Sequence, residues 1–303
     1  MTRSPAKPPQ ALQGVRVLSL SLNLPGPAAL LRCARMGATC VKLEPPAPSG
    51  APDGSTGDPM SQYSGAAYQA LHHGIRVRVA NLKTDAGQKA LHRELAKADV
   101  LMTSFRPSAL TKLGLDWKTL HPHYPTLSLV SIVGASGVRA DEPGHDLTYL
   151  AENNLVPGLE LPPTLYADMG GALMAAEAVL QTVLLQRQKG AGTRVEVSLS
   201  DAAAHLALPR TWGVTAPGMP VGGGHAGYRI YRCRDGRVAL AALEPHFAKS
   251  LCTVAGIEWT GSAMMMQATT LAQIAGFVAT LTRKQLDTLA QQHDIPLHTL
   301  QNE

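Results

Sequence analysis

Hydrophobic positions along the chain fall into short runs separated by longer amphipathic or turn-rich stretches. Residues 15–20, Val15-Arg16-Val17-Leu18-Ser19-Leu20, form a buried-strand pattern. A Leu24-Pro25-Gly26-Pro27 turn follows, then an Ala/Leu-rich stretch ending at Gly37 and a β-branched run over 39–43. That order predicts strand, helix with a C-terminal glycine, strand: one βαβ unit and so a parallel sheet. Further strands are predicted over 74–81, 99–102 and 127–133, with an amphipathic helix over 85–96 and a loop over 45–62. Strands alternating with helices predict an α/β domain on an open, parallel, Rossmann-like sheet. Ligand sites are expected at the carboxyl ends of its strands.

The pattern changes after about residue 155. A turn-rich connection over 157–163 leads to Asp168, placed as N-cap of a long Ala/Leu/Val helix over 169–187 that ends at Lys189-Gly190. A strand over 195–199 and a Gly/Pro-rich loop over 215–227 come next. Residues 228–243 predict a hairpin around Arg234-Asp235-Gly236, an Asp-Gly turn signal. Helices over 246–254 and 283–292 complete a smaller α+β domain before a polar tail. The expected division is a disordered tail over 1–10, a large domain with its linker helix over 11–200, and a small domain over 201–303.

Of the 303 residues, 45% are hydrophobic and 16% charged, enough apolar surface for a large core and too little charge for a disordered chain. No run of about 18 apolar residues stands out, so no membrane partner and a cytoplasmic setting are expected. Cys33, Cys40, Cys233 and Cys252 are far apart without a C-x-x-C pair, which argues against a disulfide scaffold or zinc ribbon. The formal net charge is +5. Scattered basic residues and only 4% aromatics make nucleic acid a poor partner, while a small ligand carrying phosphates fits the excess. No histidine spacing suits a metal. No Gly-rich phosphate loop follows the first strand, so a dinucleotide site has little support.

Four places carry candidate chemistry. Gly144-His145-Asp146 follows a strand and a loop, and its histidine can reach a cleft with Asp146 orienting the ring. The same residues also read as a plain helix cap with a solvated His145. Asp168 as N-cap would accept first-turn amides and be held ionised, while Gly170 and Gly171 would let a ligand approach those amides. A cap alone is the plainer reading, but first-turn glycines are costly in a purely structural helix. Arg106 stands just past a strand, placed equally for a phosphate or a surface ion pair. Glu244 precedes Pro245 at a strand's end and reads as an orienting carboxylate or a solvated turn.

Together these segments resemble the family III CoA-transferases (the CaiB/BaiF superfamily), which also include α-methylacyl-CoA racemase. The resemblance runs in order through Leu12-Gln13-Gly14-Val15-Arg16-Val17-Leu18, Pro25-Gly26-Pro27, Met36-Gly37-Ala38 and Ala98-Asp99-Val100-Leu101. It continues through Phe105-Arg106-Pro107, Leu113-Gly114-Leu115, Gly144-His145-Asp146 and Tyr149-Leu150-Ala151. The last matches are Ala167-Asp168-Met169-Gly170-Gly171, Tyr231-Arg232-Cys233-Arg234-Asp235-Gly236 and Leu243-Glu244-Pro245-His246-Phe247.

The resemblance implies an acyl-CoA thioester as substrate and no permanently bound cofactor. Asp168 matches the carboxylate that is nucleophile in the transferases and acid/base in the racemases. His145 matches the racemase histidine and Glu244 the glutamate supporting it, so the motifs lie nearer the racemase. Lys42, His72, His73, Gly74, Ile75, Arg106, Gly144, Asp146 and Tyr149 fall where the family binds CoA. Lys42 stands where arginine is usual, and Ile75 where a lysine is expected. The amides of Met169 and Gly170 would hold an enolate oxygen. Racemisation, CoA transfer through an Asp168 acyl anhydride, and a non-catalytic homologue are the three implied functions. A homodimer is expected. Family members normally run on and return to the first domain, and a chain ending at Glu303 argues against their interlocked form.

Overall fold

The computed structural model describes residues 10–51 and 55–301. The expected tail therefore lies, but for Gln10, outside the described residues. The chain forms two compact units, Met1–Ala207 and Leu208–Glu303.

The first unit runs β1 (Arg16–Ser19), α1 (Pro25–Arg35), β2 (Thr39–Glu44), α2 (Met60–Tyr63), α3 (Gly65–Leu71), β3 (Arg76–Val79), α4 (Asp85–Leu95) and β4 (Val100–Thr103). It continues with α5 (Pro107–Lys112), α6 (Trp117–His123), β5 (Ser128–Val133), α7 (Asp146–Glu152), α8 (Tyr166–Lys189), β6 (Arg194–Ser198) and α9 (Leu199–Leu206). Its six strands are all parallel, in the order β3-β2-β1-β4-β5-β6. The chain winds outward from β1 in one direction and then from β4 in the other. That leaves the switch point between β1 and β4, where α/β sheets open a crevice.

Strand periodicity explains why both faces are covered. Val17, Met102 and Val130 point into one core with Ala29, Leu30 and Cys33 of α1 and Ala172, Ala175, Ala176 and Val179 of α8. Their neighbours Leu18, Leu101 and Leu129 point the other way, against Leu91 and Leu95 of α4 and Leu110 and Leu120 of α5 and α6. The helix α8 alone among the described residues is long and apolar enough to cross a membrane. Here its small residues form the stripe that packs on α1 and the sheet.

The second unit contains α10 (Leu208–Thr211), β7 (Tyr228–Cys233), β8 (Gly236–Ala241), α11 (Pro245–Val254), α12 (Ala268–Ala279), α13 (Arg283–His293) and β9 (Leu297–Leu300). β7 and β8 pair antiparallel around the Arg234-Asp235 turn, as the hairpin signal predicts, and β9 adds on the far side of β8. Three elements depart from the sequence reading, the short helix α10 among them. Leu297–Leu300 is a strand within the expected polar tail, and α12 is a further helix. The edge strand is short, and α12 carries Thr269, Thr270 and Val278 among its apolar residues, which weakens a helical signal.

Candidate active site

A cavity of about 150 Å³ opens in the first unit. It is lined by Leu22 and Asn23 after β1, Ser104 and Arg106 after β4, and Val133 and Gly134 at the end of β5, together with His145, Tyr149 and Asp168. The switch point of the sheet is thus where Arg106, His145 and Asp168 meet. Leu22 N–H donates to Ser104 Oγ at 3.1 Å, tying the turn after β1 to the end of β4.

His145 is the N-cap residue of α7 and stays exposed to the cavity. Its backbone N–H donates to Thr148 Oγ1 at 3.1 Å, and that hydroxyl donates to the His145 carbonyl at 2.7 Å. Neither bond engages the imidazole.

Asp168 is not the N-cap of α8. The helix begins at Tyr166, so Asp168 is its third residue, and Leu165 at the cap position makes no side-chain bond. The first turn is capped instead from 22 residues upstream: Asp168 N–H donates to Asp146 Oδ1 at 2.9 Å. Asp146 is buried. The expected consequence for charge is reversed as well. Burial, and then the neighbouring Asp146, pushes the Asp168 carboxyl above the ordinary aspartate value, to about 6. Asp146 therefore does two things at once, fixing the Asp168 backbone and raising the proton affinity of its side chain.

Gly170 and Gly171 lie in the second turn of α8, where they pack on α9. A Cβ on Gly171 would lie 2.2 Å from Leu199 Cδ2, and one on Gly170 would lie 3.3 Å from Leu206 Cδ1, both on α9. Oxyanion donation by Met169 and Gly170 is not met either. Met169 N–H donates to the Leu165 carbonyl at 3.1 Å, and Gly170 is one step deeper in the helix, past the unpaired amides. Glycines do matter across the cavity. Cβ atoms on Gly134 and Gly144 would lie 2.2 and 2.5 Å from the Tyr149 hydroxyl, so the ring is seated between two bare backbones. Burial, and then the nearby Asp168, raises the Tyr149 phenol.

The remaining residues expected to meet CoA divide three ways. Arg106, Gly144 and Tyr149 share the cavity with His145 and Asp168. His73 and Gly74 line an open groove beside Arg35. Lys42 and His72 are not available to a ligand: both are buried, and the Lys42 ammonium is paired internally with Asp58, Glu44 and His72. Ile75 belongs to the core. Asp58 was missed because it lies in a Pro/Gly/Ser-rich stretch with no motif around it. Glu244, in the second unit, is the exposed N-cap residue of α11 and makes no side-chain cap bond.

Pro25 and Pro27, at the start of α1, remove amide donors where a dinucleotide phosphate would sit. Among the described residues, no group of three or more His, Cys, Asp or Glu side chains could hold a metal. Cys33 is buried and raised to about 12 by that burial, so it is inert as a thiolate.

Residues 12–302 match the family model described as CoA-transferase family III. The chain is 33% identical over 204 residues to cinnamoyl-CoA:phenyllactate CoA-transferase of Clostridium sporogenes, covering 63% of this chain and 50% of that protein. It is 29% identical over 266 residues to human alpha-methylacyl-CoA racemase, covering 82% of this chain and 65% of that one. It thus spans half to two-thirds of the length of these relatives. A crystal structure of Rv3272 from Mycobacterium tuberculosis superposes with a TM-score of 0.80 at 23% identity, covering 99% of this chain and 84% of that one, and shares the fold.

Proposed function

The chain belongs to CoA-transferase family III, and on that premise we propose that it moves a proton at the α-carbon of an acyl-CoA thioester, in the manner of an α-methylacyl-CoA racemase. The observation that carries this reading is the meeting of His145 and Asp168 in one cavity, with Asp168 raised to about 6. A carboxyl near neutrality can act as base in one direction and acid in the other, whereas an ordinary aspartate is a weak base.

The thioester carbonyl acidifies the adjacent C–H. One of the two groups takes that proton, leaving an enolate; the other delivers a proton to the opposite face, inverting the centre. Reversal exchanges their roles, so two unlike bases serve both stereoisomers. Arg106 in the same cavity supplies a cation for CoA phosphate.

The test is incubation of the enzyme with a 2-methylacyl-CoA in heavy water, followed by mass spectrometry and NMR of the ester. Deuterium at the α-carbon is expected. His145→Ala should lower incorporation by roughly 10²- to 10⁴-fold, the range of one general acid or base, while calorimetry still finds ester binding. Unchanged incorporation in that variant would end the assignment. The 33% identity to a CoA-transferase favours a second reading, in which Asp168 attacks the thioester carbonyl, forms an acyl anhydride and releases CoA. A hydroxylamine-sensitive mass increase on Asp168, without α-deuteration, would select it.

A further inference from the structure

The Lys42 ammonium is fully engaged inside the protein. Its side chain is buried on β2, and its ammonium meets three partners, two through hydrogen bonds and one through an ion pair. These are the Asp58 carboxylate, Glu44 Oε2 at 3.3 Å and His72 Nε2 at 2.8 Å. His72 Nδ1 faces the Tyr68 carbonyl at 2.7 Å, so Nδ1 carries the hydrogen and Nε2 presents its lone pair to Lys42. Burial, and then Lys42, lower the imidazole, in keeping with a neutral ring. The Tyr68 hydroxyl donates to both Glu44 oxygens at 3.1 Å.

Asp58 is the member of this cluster that also bonds the backbone of a cavity-lining residue. One oxygen pairs with Lys42; the other, Oδ1, accepts Asn23 N–H at 2.9 Å and Met60 N–H at 3.0 Å. Its own backbone is pinned, with its N–H donating to Thr56 Oγ1 at 3.1 Å and its carbonyl accepting Ser61 Oγ at 2.8 Å. Asn23 lines the cavity that holds His145 and Asp168, and its φ is 63°, in the left-handed region that costs a side-chain-bearing residue energy. Asparagine tolerates this region better than most residues, and the Asp58 bond adds a further hold on the turn.

We propose that Asp58 is a positioning residue of the active site: anchored from behind by buried Lys42, it holds the Asn23 backbone in the left-handed turn that forms one wall of the cavity. A position expected to read the CoA nucleotide is in this chain used to brace the pocket instead. Only the kinetic arm of the test rests on the acyl-CoA reading.

Hydrogen exchange of the full chain, resolved at the Asn23 amide, tests the proposal directly. Asp58→Ala should speed exchange at Asn23 by about tenfold, the scale of one lost bond to a charged group, with β5 and the second half of α8 unchanged. Asp58→Asn keeps an oxygen for the Asn23 amide and leaves Lys42 paired with Glu44, so its exchange should stay within about threefold of the parent. In the same variants, kcat for α-deuteration should fall about tenfold for Asp58→Ala, with KM within about threefold, and recover in Asp58→Asn. Unchanged exchange at Asn23 in Asp58→Ala, or a uniform increase across the whole sheet, would overturn the proposal. The unmodified protein gives an arm that needs no variant. Asn23 and Met60, bonded to one oxygen, should share one opening rate; an unprotected Asn23 beside a protected Met60 would also overturn it. A parent protein without α-deuteration would sink the reaction reading, while the exchange data would still decide Asp58.

Discussion

The first unit buries carboxylates in two places, and treats them oppositely. Asp58 and Glu44 share an ammonium, two backbone amides and a phenol, so each oxygen that leaves water finds a donor. Asp168 lies beside another carboxylate, Asp146, and its side chain is raised by burial and by that like charge. Burial alone therefore does not make a carboxylate reactive. Compensated by a cation and donors, a buried carboxylate finds its partners inside the protein; beside a like charge at a cavity, its proton affinity rises.

Removing the cation from the compensated cluster is the harshest way to break this contrast. Lys42→Met leaves Asp58 and Glu44 buried without their ammonium and should cost about 3–5 kcal/mol. That would appear as a lower urea midpoint for the first unfolding transition. A midpoint equal to the parent's would show that the cluster is wetter than its burial indicates.

The uncompensated site makes the opposite prediction. The folded-state value of Asp168, about 6, lies above its ordinary value of 3.8, so folding disfavours the ionised form. The stability attached to this group is present below pH 3.8 and is lost as pH rises through about 6. Asp168→Asn should therefore raise Tm by a few degrees at pH 7.5 and leave it unchanged at pH 3.5, although activity is lost. Equal melting temperatures at both pH values would mean that Asp168 carries no burial cost.

The gentlest test separates the two causes of the Asp168 shift. Asp146→Asn keeps an oxygen for the Asp168 amide and removes the like charge. The acid limb of the kcat profile should then move down from about 6, but by the smaller share, because burial is the larger cause. A limb that moves all the way to the ordinary aspartate value would assign the shift to Asp146 instead.

How much of this was legible in the sequence depends on the range of the interaction concerned. The alternation of Val17 with Leu18 and of Leu129 with Val130 records a strand covered on both faces, and Asp235-Gly236 records a hairpin; both signals are complete within a few residues. The motifs around His145 and Asp168 were likewise visible, since each lies next to a local structural break. Read locally, though, Asp168 was placed as a cap. The true cap, Asp146, is 22 residues away and reaches it only through the packing of α7 on α8.

What the sequence determined by itself was the α/β fold, most of its strands and the family, because hydrophobic periodicity and turn chemistry act over short spans. Tertiary structure alone decided which charges meet. It drew Lys42 inward to Asp58 and His72, closed Gly171 onto Leu199, and set Asp168 beside Asp146. Electrostatic and desolvation energies depend on distance and burial in space, and separation along the chain specifies neither.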